Sequence, residues 1–241
     1  EDVVVDWVGR IRGQLEAFLR FDDSATGAIM VNNLDWTKSL SALEFLRDIG
    51  KHFSVNQMLA KDSVSTRLTS GGISYTEFSY QVLQAMDFLE LYRREGCTLQ
   101  MGGSDQWGNI TAGLDLIRRV EQGSAHALTM NLLTRSDGGK FGKTATGAIW
   151  LDPEMTSPYA FYQYWFNTDD QDVVTYLKFF SFADQVRINE LYAQVRDHPA
   201  KRAAQRFLAR EMTTLVHGVE ACDRVERAAA APFGQGALSV V

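Results

Sequence analysis

Cys97-Thr98-Leu99-Gln100-Met101-Gly102-Gly103-Ser104-Asp105-Gln106-Trp107-Gly108-Asn109 is the stretch that decides the fold. Residues 97–101 read as a strand, the paired glycines as a tight turn, and residues 110–120 as a helix. Strand, glycine-rich turn and helix in that order make half of an α/β parallel unit. Open α/β sheets bind ligands at the C-terminal ends of their strands, which is where Gly103, Asp105 and Gln106 fall. A carboxylate there can accept hydrogen bonds from sugar hydroxyls, and an amide can orient a carbonyl or an amine. A structural turn explains the glycines equally well but leaves Asp105 and Gln106 without a role. The pattern is neither a Walker loop nor a Gly-x-Gly-x-x-Gly fingerprint.

Immediately upstream, residues 75–95 read as a long helix closed by Gly96. Tyr80, Gln84 and Asp87, at i, i+4 and i+7, share one stripe of it, while Phe78, Val82, Ala85 and Leu89 form the packing face. A solvent stripe normally draws Lys, Glu and Arg. A phenol, an amide and a carboxylate suit a small polar ligand as well as they suit water.

Downstream, residues 127–133 read as a second strand leading into Arg135-Ser136-Asp137-Gly138-Gly139-Lys140-Phe141-Gly142-Lys143-Thr144. Two ammonium groups three residues apart among glycines can meet phosphate, lysine acting as a flexible point charge. A solvated hairpin with two ordinary surface lysines is the competing interpretation.

Farther out, the spacing predicts helices over 4–19, 39–51 and 55–68, and strands at 28–31 and 147–151. From residue 157 onward the chain reads as helices over 159–166, 170–180, 184–197 and 199–231. The expected division is an α/β part over 1–131, a loop over 132–153 and an all-helical part over 154–241. The alternation of strands and helices sets the fold class as α/β followed by an all-helical domain.

The bulk numbers exclude several function classes. A formal net charge of −6 argues against holding nucleic acid by bulk electrostatics but not against a local patch; Arg118-Arg119 and the basic run 201–206 are each expected to be solvated helix faces. Cys97 and Cys222 make neither a metal-ligand spacing nor a disulfide framework, so a reducing cytoplasmic setting is expected. No apolar run reaches bilayer length, and no membrane association is expected. The four histidines have no metal-like spacing, no metal ligands are expected, and no Ser-His-Asp or Cys-His arrangement supports nucleophilic catalysis. His126, within an apolar run, is expected in the core.

The strings at 72–80, 83–88, 99–109 and 140–144, taken in order with Phe45 to Asn56, closely resemble the bacterial-type tyrosyl-tRNA synthetases, which are class I aminoacyl-tRNA synthetases. The resemblance covers essentially the whole chain. It implies the second half of a Rossmann-like catalytic domain with its connecting insertion, followed by the helical domain. It implies that Tyr80 and Gln84 hold the α-amino group of L-tyrosine and that Asp87 accepts a hydrogen bond from its phenolic hydroxyl. Gln106 would sit at the carboxyl end, Gly103 and Asp105 at the adenylate ribose, and Asn33 would support the pocket. Lys140, Lys143 and Thr144 would form the second class-defining motif, which stabilises charge on pyrophosphate as it leaves.

The implied reaction takes ATP as a substrate with Mg²⁺, uses no tightly bound cofactor, and transfers tyrosine to tRNA(Tyr). The family is typically a homodimer, with residues 39–75 the expected interface. No His-x-Gly-His occurs in the chain, and the family's N-terminal nucleotide-binding half and C-terminal RNA-binding module are missing from it. The 241 residues are therefore expected to be a fragment that is inactive alone. Two other readings stay open: a synthetase-like RNA-binding protein without catalysis, and a tryptophanyl relative.

Overall fold

A computed structural model describes residues 2–136, 138, 139, 141–144 and 147–230, leaving aside the side chains of 2, 62, 63, 70, 143, 144, 147 and 230. The chain forms two units, Val31–Leu133 and the pairing of Glu1–Met30 with Thr134–Val241. Helix α1 (Asp2–Leu15) opens the chain with Trp7, Ile11 and Leu15 exposed. Residues 28–31 form no strand. An apolar run becomes a strand only when another strand satisfies its backbone, and the two described sheets contain β-strands from elsewhere in the sequence.

The unit Val31–Leu133 begins with α2 (Leu34–Thr37) and α3 (Ala42–Glu44). Ser41 and Glu44 start α3 with a reciprocal capping box. The helix expected over 39–51 is three pieces instead: α3, a π turn over Phe45–Ile49 and a 3₁₀ turn over Gly50–His52. Ile49 is buried there, so widening the turn serves packing where periodicity alone predicts a regular helix. Short helices α4 (Val55–Leu59) and α5 (Asp62–Ser70) follow.

A second capping box, Ser74 with Glu77, starts α6 (Tyr75–Glu95), and Gly96 ends it in the left-handed region. Strand β1 (Leu99–Gly103) passes through a 3₁₀ turn at Ser104–Gln106 into α7 (Trp107–Glu121), and β2 (His126–Met130) follows. Strands β1 and β2 are parallel, with Leu99 opposite His126 and Gly103 opposite Met130. This is the βαβ arrangement that the glycine turn implied.

The core of this unit is Val82, Ala85, Met86, Phe88 and Leu89 of α6 against Ile110, Ala112, Leu116 and Ile117 of α7. Phe88, Leu89, Ile110, Leu116 and Ile117 are all but fully buried. The predicted packing face of α6 therefore packs, with Phe78 partly buried at its edge. His126 is exposed on β2 rather than buried, because side chains alternate along a strand and its face carries no cover. Leu99, Met101, Leu128 and Met130 are exposed likewise.

In the other unit, β3 (Lys143–Thr144) pairs antiparallel with β4 (Gly147–Ala148). Helices α8 (Pro158–Phe166), α9 (Asp170–Phe180) and α10 (Gln185–Asp197) start at Ser157, Asp169 and Asp184, whose side chains each accept a backbone N–H of the first turn. The single helix expected over 199–231 is a 3₁₀ turn at Pro199–Lys201, then α11 (Ala203–His217) and α12 (Val219–Ala230), divided at Gly218 with φ +85°. Helix α11 carries the buried Ala204, Leu208, Ala209 and Met212 into a core with Phe161, Trp165, Val173, Leu177 and Leu191. Arg202 donates to the carbonyls of Phe166 at 2.8 Å and Thr168 at 2.9 Å, satisfying groups left open at the end of α8. Among the described residues no helix is long and apolar enough to cross a membrane.

Gly113 of α7 faces Phe88 of α6 so closely that a Cβ at that position would lie 2.8 Å from Phe88 Cδ1 and 3.0 Å from its Cβ. Helix propensity alone favours alanine there by up to about 1 kcal/mol. The clash falls on a buried, rigid ring, so Gly113→Ala is expected to destabilise by about 1–3 kcal/mol, the typical cost of overpacking a core. Urea unfolding followed by circular dichroism checks the sign; a raised midpoint would show that α6 and α7 can separate freely.

Candidate active site

Helix α6 presents the polar stripe and α7 the first turn after β1, and their packing brings the two together. Asn109 Nδ2 donates to Gln84 Oε1 at 3.1 Å and to Gln106 Oε1 at 3.3 Å. Gln106 Nε2 in turn donates to Asp105 Oδ2 at 3.0 Å. Asp105, Gln106, Asn109 and Gln84 thus form one hydrogen-bonded chain from the end of β1 to the middle of α6. Gly103 closes β1 beneath it; a Cβ there would sit 2.5 Å from Asp105 Oδ1, so the carboxylate folds over a position that only glycine leaves open.

One turn along α6, Asp87 is half-buried and accepts two hydrogen bonds, from Trp36 Nε1 at 2.8 Å and from Asn33 Nδ2 at 3.1 Å. Asn33 precedes α2 but does not cap it with its side chain, which reaches Asp87 instead. Trp36 is buried, and the Arg94 guanidinium lies 5.5 Å from its ring centroid. The two donors fix the carboxylate's direction. An ionised carboxylate has about four lone-pair positions, so capacity remains for a further donor. Tyr80, at the start of the stripe, is 58% exposed.

Six of the predicted residues, Asn33, Gln84, Asp87, Gly103, Asp105 and Gln106, therefore belong to one structural unit, and side-chain hydrogen bonds tie five of them into two connected groups. Tyr80 belongs to the same unit on α6. Lys140 lies outside the described residues. Lys143 and Thr144 form β3, of which the backbone alone is described. Sequence reasoning missed Trp36 and Asn109. The sequence offered no period that would single them out: Trp36 falls in a short helix not predicted there, and Asn109 in the first turn of α7, ahead of the predicted helix start.

A cavity of about 240 Å³ in this unit is lined by His52, Gln57, Lys61, Gln81 and Arg119, among others, and by none of the predicted residues. Burial holds the Lys61 ammonium below its ordinary pKa, with Asp115 opposing the shift, and Lys61 Nζ donates to the Gly108 carbonyl at 2.8 Å. Burial, then Lys51 and Arg119, lowers the pKa of His52. Among the described residues no three His, Cys, Asp or Glu side chains converge to hold a metal ion.

The geometry belongs to a chain with clear relatives. Residues 1–234 match the model of the family described as class I tRNA synthetases (W and Y). A tyrosine–tRNA ligase of Streptomyces coelicolor is 61% identical over 240 residues, covering 99% of this chain and 57% of the relative. One from Mycobacterium tuberculosis is 59% identical over 239 residues, covering 99% of this chain and 56% of that protein. Among solved structures, a C-terminally truncated mitochondrial tyrosyl-tRNA synthetase of Coccidioides posadasii aligns with a TM-score of 0.72 at 31% identity, covering 90% of this chain and 64% of that one. The chain spans a little over half the length of the curated relatives it matches. It belongs to the class I tRNA synthetase family of the tryptophan and tyrosine type.

Proposed function

We propose that the protein containing this chain is a tyrosine–tRNA ligase, which activates L-tyrosine with ATP to tyrosyl-adenylate and transfers the tyrosyl group to tRNA(Tyr). The observation that carries the reading is the Asp87 carboxylate, held by Trp36 and Asn33 one helical turn from the chain of Gln84, Asn109, Gln106 and Asp105. A fixed carboxylate that keeps acceptor capacity suits a phenolic hydroxyl. The ligase names of the 57–61% identical relatives support tyrosine over tryptophan and a catalytic role over a purely RNA-binding one.

In this reading Tyr80 and Gln84 take the α-amino group, Gln106 the carboxyl end, and Gly103 and Asp105 the ribose of the adenylate. Asn33 orients Asp87. Lys140, Lys143 and Thr144 stabilise the charge that grows on pyrophosphate as the carboxylate attacks the α-phosphate. Magnesium enters on the phosphates of ATP, and no tightly bound cofactor takes part. We further propose a cytoplasmic homodimer with its interface in 39–75, and a catalytic part over 1–131 joined through 132–153 to a helical part from 154.

Tyrosine-dependent exchange of pyrophosphate into ATP by the complete gene product tests the reaction, and its absence from well-folded protein would sink the proposal. Asp87→Asn swaps one acceptor oxygen for a donor that faces Trp36 or Asn33. The preference for tyrosine over phenylalanine, as the ratio of kcat/KM values, is expected to fall on the order of ten- to hundredfold, the cost of mispairing a polar group that the bound ligand would cover. Lys143→Ala is expected to lower kcat for exchange about a hundredfold with KM for tyrosine nearly unchanged, since its contact matters only as charge develops. A rise confined to the KM for tyrosine would move Lys143 out of that role.

A further inference from the structure

The lysine-bearing loop is fastened to α8 and α9 by groups that the proposed reaction does not use. Phe141, next to Lys140, lies with its ring centroid 5.1 Å from Tyr176, 5.1 Å from Phe180, 5.8 Å from Trp165 and 6.2 Å from Tyr164. The Phe180 ring is stacked on it, and Tyr164 and Tyr176 meet it edge-on. Gly142 follows at φ +76°, a conformation open to glycine at little cost, and its N–H donates to the Tyr164 hydroxyl oxygen at 3.1 Å. The Gly142 carbonyl accepts the Ile149 N–H at 3.1 Å, closing the hairpin of β3 and β4. At the loop's other end the Ser136 N–H donates to Asp172 Oδ1 at 2.9 Å; Asp172 sits in the first turn of α9 and is 9% exposed.

The fastening is specific in a way that plain core packing is not. A half-buried tyrosine hydroxyl and a buried carboxylate both accept main-chain N–H groups of the loop rather than side chains. Burial raises the Tyr164 pKa, with the Gly142 hydrogen bond opposing, so the hydroxyl stays neutral. Lysine side chains are long and lose much rotamer freedom when they bind. A lysine can stabilise a transition state only if the backbone beneath it is already placed, since misplacement by about 1 Å can cost a hundredfold in rate. Glycines at 138, 139 and 142 remove that placement, and the two anchors restore it.

We propose that Tyr164 and Asp172 are positioning residues for the loop, with Phe141 as its peg, so that the helical elements α8 and α9 set where Lys140 and Lys143 can reach. The inference rests on the reading that these lysines meet the phosphates of ATP.

The test is Tyr164→Phe in the complete gene product, which keeps the ring and removes the acceptor. Its kcat for tyrosine-dependent exchange is expected to fall roughly tenfold, about the worth of one hydrogen bond, with the thermal midpoint and the KM for tyrosine unchanged. Amide hydrogen exchange of the peptide 135–149 is expected to quicken, while peptides from α11 keep their protection. Asp172→Asn retains an acceptor oxygen and should stay close to wild type, whereas Asp172→Ala should behave like Tyr164→Phe. Wild-type kcat and wild-type loop protection in Tyr164→Phe would overturn the proposal, as would equal losses in Asp172→Asn and Asp172→Ala. A wild-type protein without exchange would refute the ligase reading instead. The loop's amide exchange would then decide the anchoring by itself, quickened protection loss supporting it and unchanged protection overturning it.

Discussion

The candidate site depends on how α6 packs against α7, and at their contact Gly113 leaves the space that the Phe88 ring takes, a Cβ there falling 2.8 Å from it. Phe88, Leu89, Ile110, Leu116 and Ile117 are excluded from solvent along the same seam. Each such side chain contributes on the order of 1.5–3 kcal/mol when buried, so the seam dominates the stability of the unit. It also fixes the rotation of α6 about its own axis. With Val82, Ala85 and Leu89 facing α7 and its neighbours, Gln84 meets Asn109 at the helix's edge. The polar stripe is therefore positioned by apolar packing on the adjacent face, which a lone amphipathic helix could not achieve.

The polar groups then divide into two small systems with different physical character. Asp87 is a carboxylate with dedicated donors, a buried indole at 2.8 Å and an amide at 3.1 Å, which fix its direction. The chain from Asp105 to Gln84 is mostly amides, each using one side of its donor and acceptor set on a neighbour. Amides linked in this way orient one another and keep free donors and acceptors for a ligand. One system suits recognition of a single hydroxyl. The other suits a ligand with several weakly charged groups along its length.

Local pattern carried much of this into the sequence. The helical period over residues 75–95 identified both faces of α6, and the strand, glycine pair and helix identified β1 and α7. What periodicity could not show was dependent on tertiary partners. Residues 28–31 are apolar enough for a strand but have no ladder to join among the described residues. The 39–51 segment bends through a π turn to bury Ile49, and Gly218 interrupts what reads as one long helix. His126 was misplaced because an apolar neighbourhood in sequence says nothing about which strand face is covered. Trp36 and Asn109 were missed because their roles consist of hydrogen bonds to residues far along the chain.

The lysine loop shows the opposite balance. Its residues are conspicuous in sequence, yet glycines leave their conformation undetermined by local preference. What we propose determines it lies in α8 and α9: an aromatic cluster of Tyr164, Trp165, Tyr176 and Phe180 that receives Phe141, and two acceptors for loop N–H groups, the half-buried Tyr164 hydroxyl and the buried Asp172 carboxylate. The aromatic run 159–166 reads from sequence as helix core, which it is for Phe161, Tyr162 and Trp165. Tyr164, between core and loop, does a second task that spacing cannot reveal, because a phenol ring packs like phenylalanine while its hydroxyl is free to hold a backbone amide. A loop that carries lysines to phosphate, the role proposed for this one, needs both properties at its root, apolar anchorage against a rigid wall and a polar hold on the main chain, and tyrosine is a side chain that supplies them together.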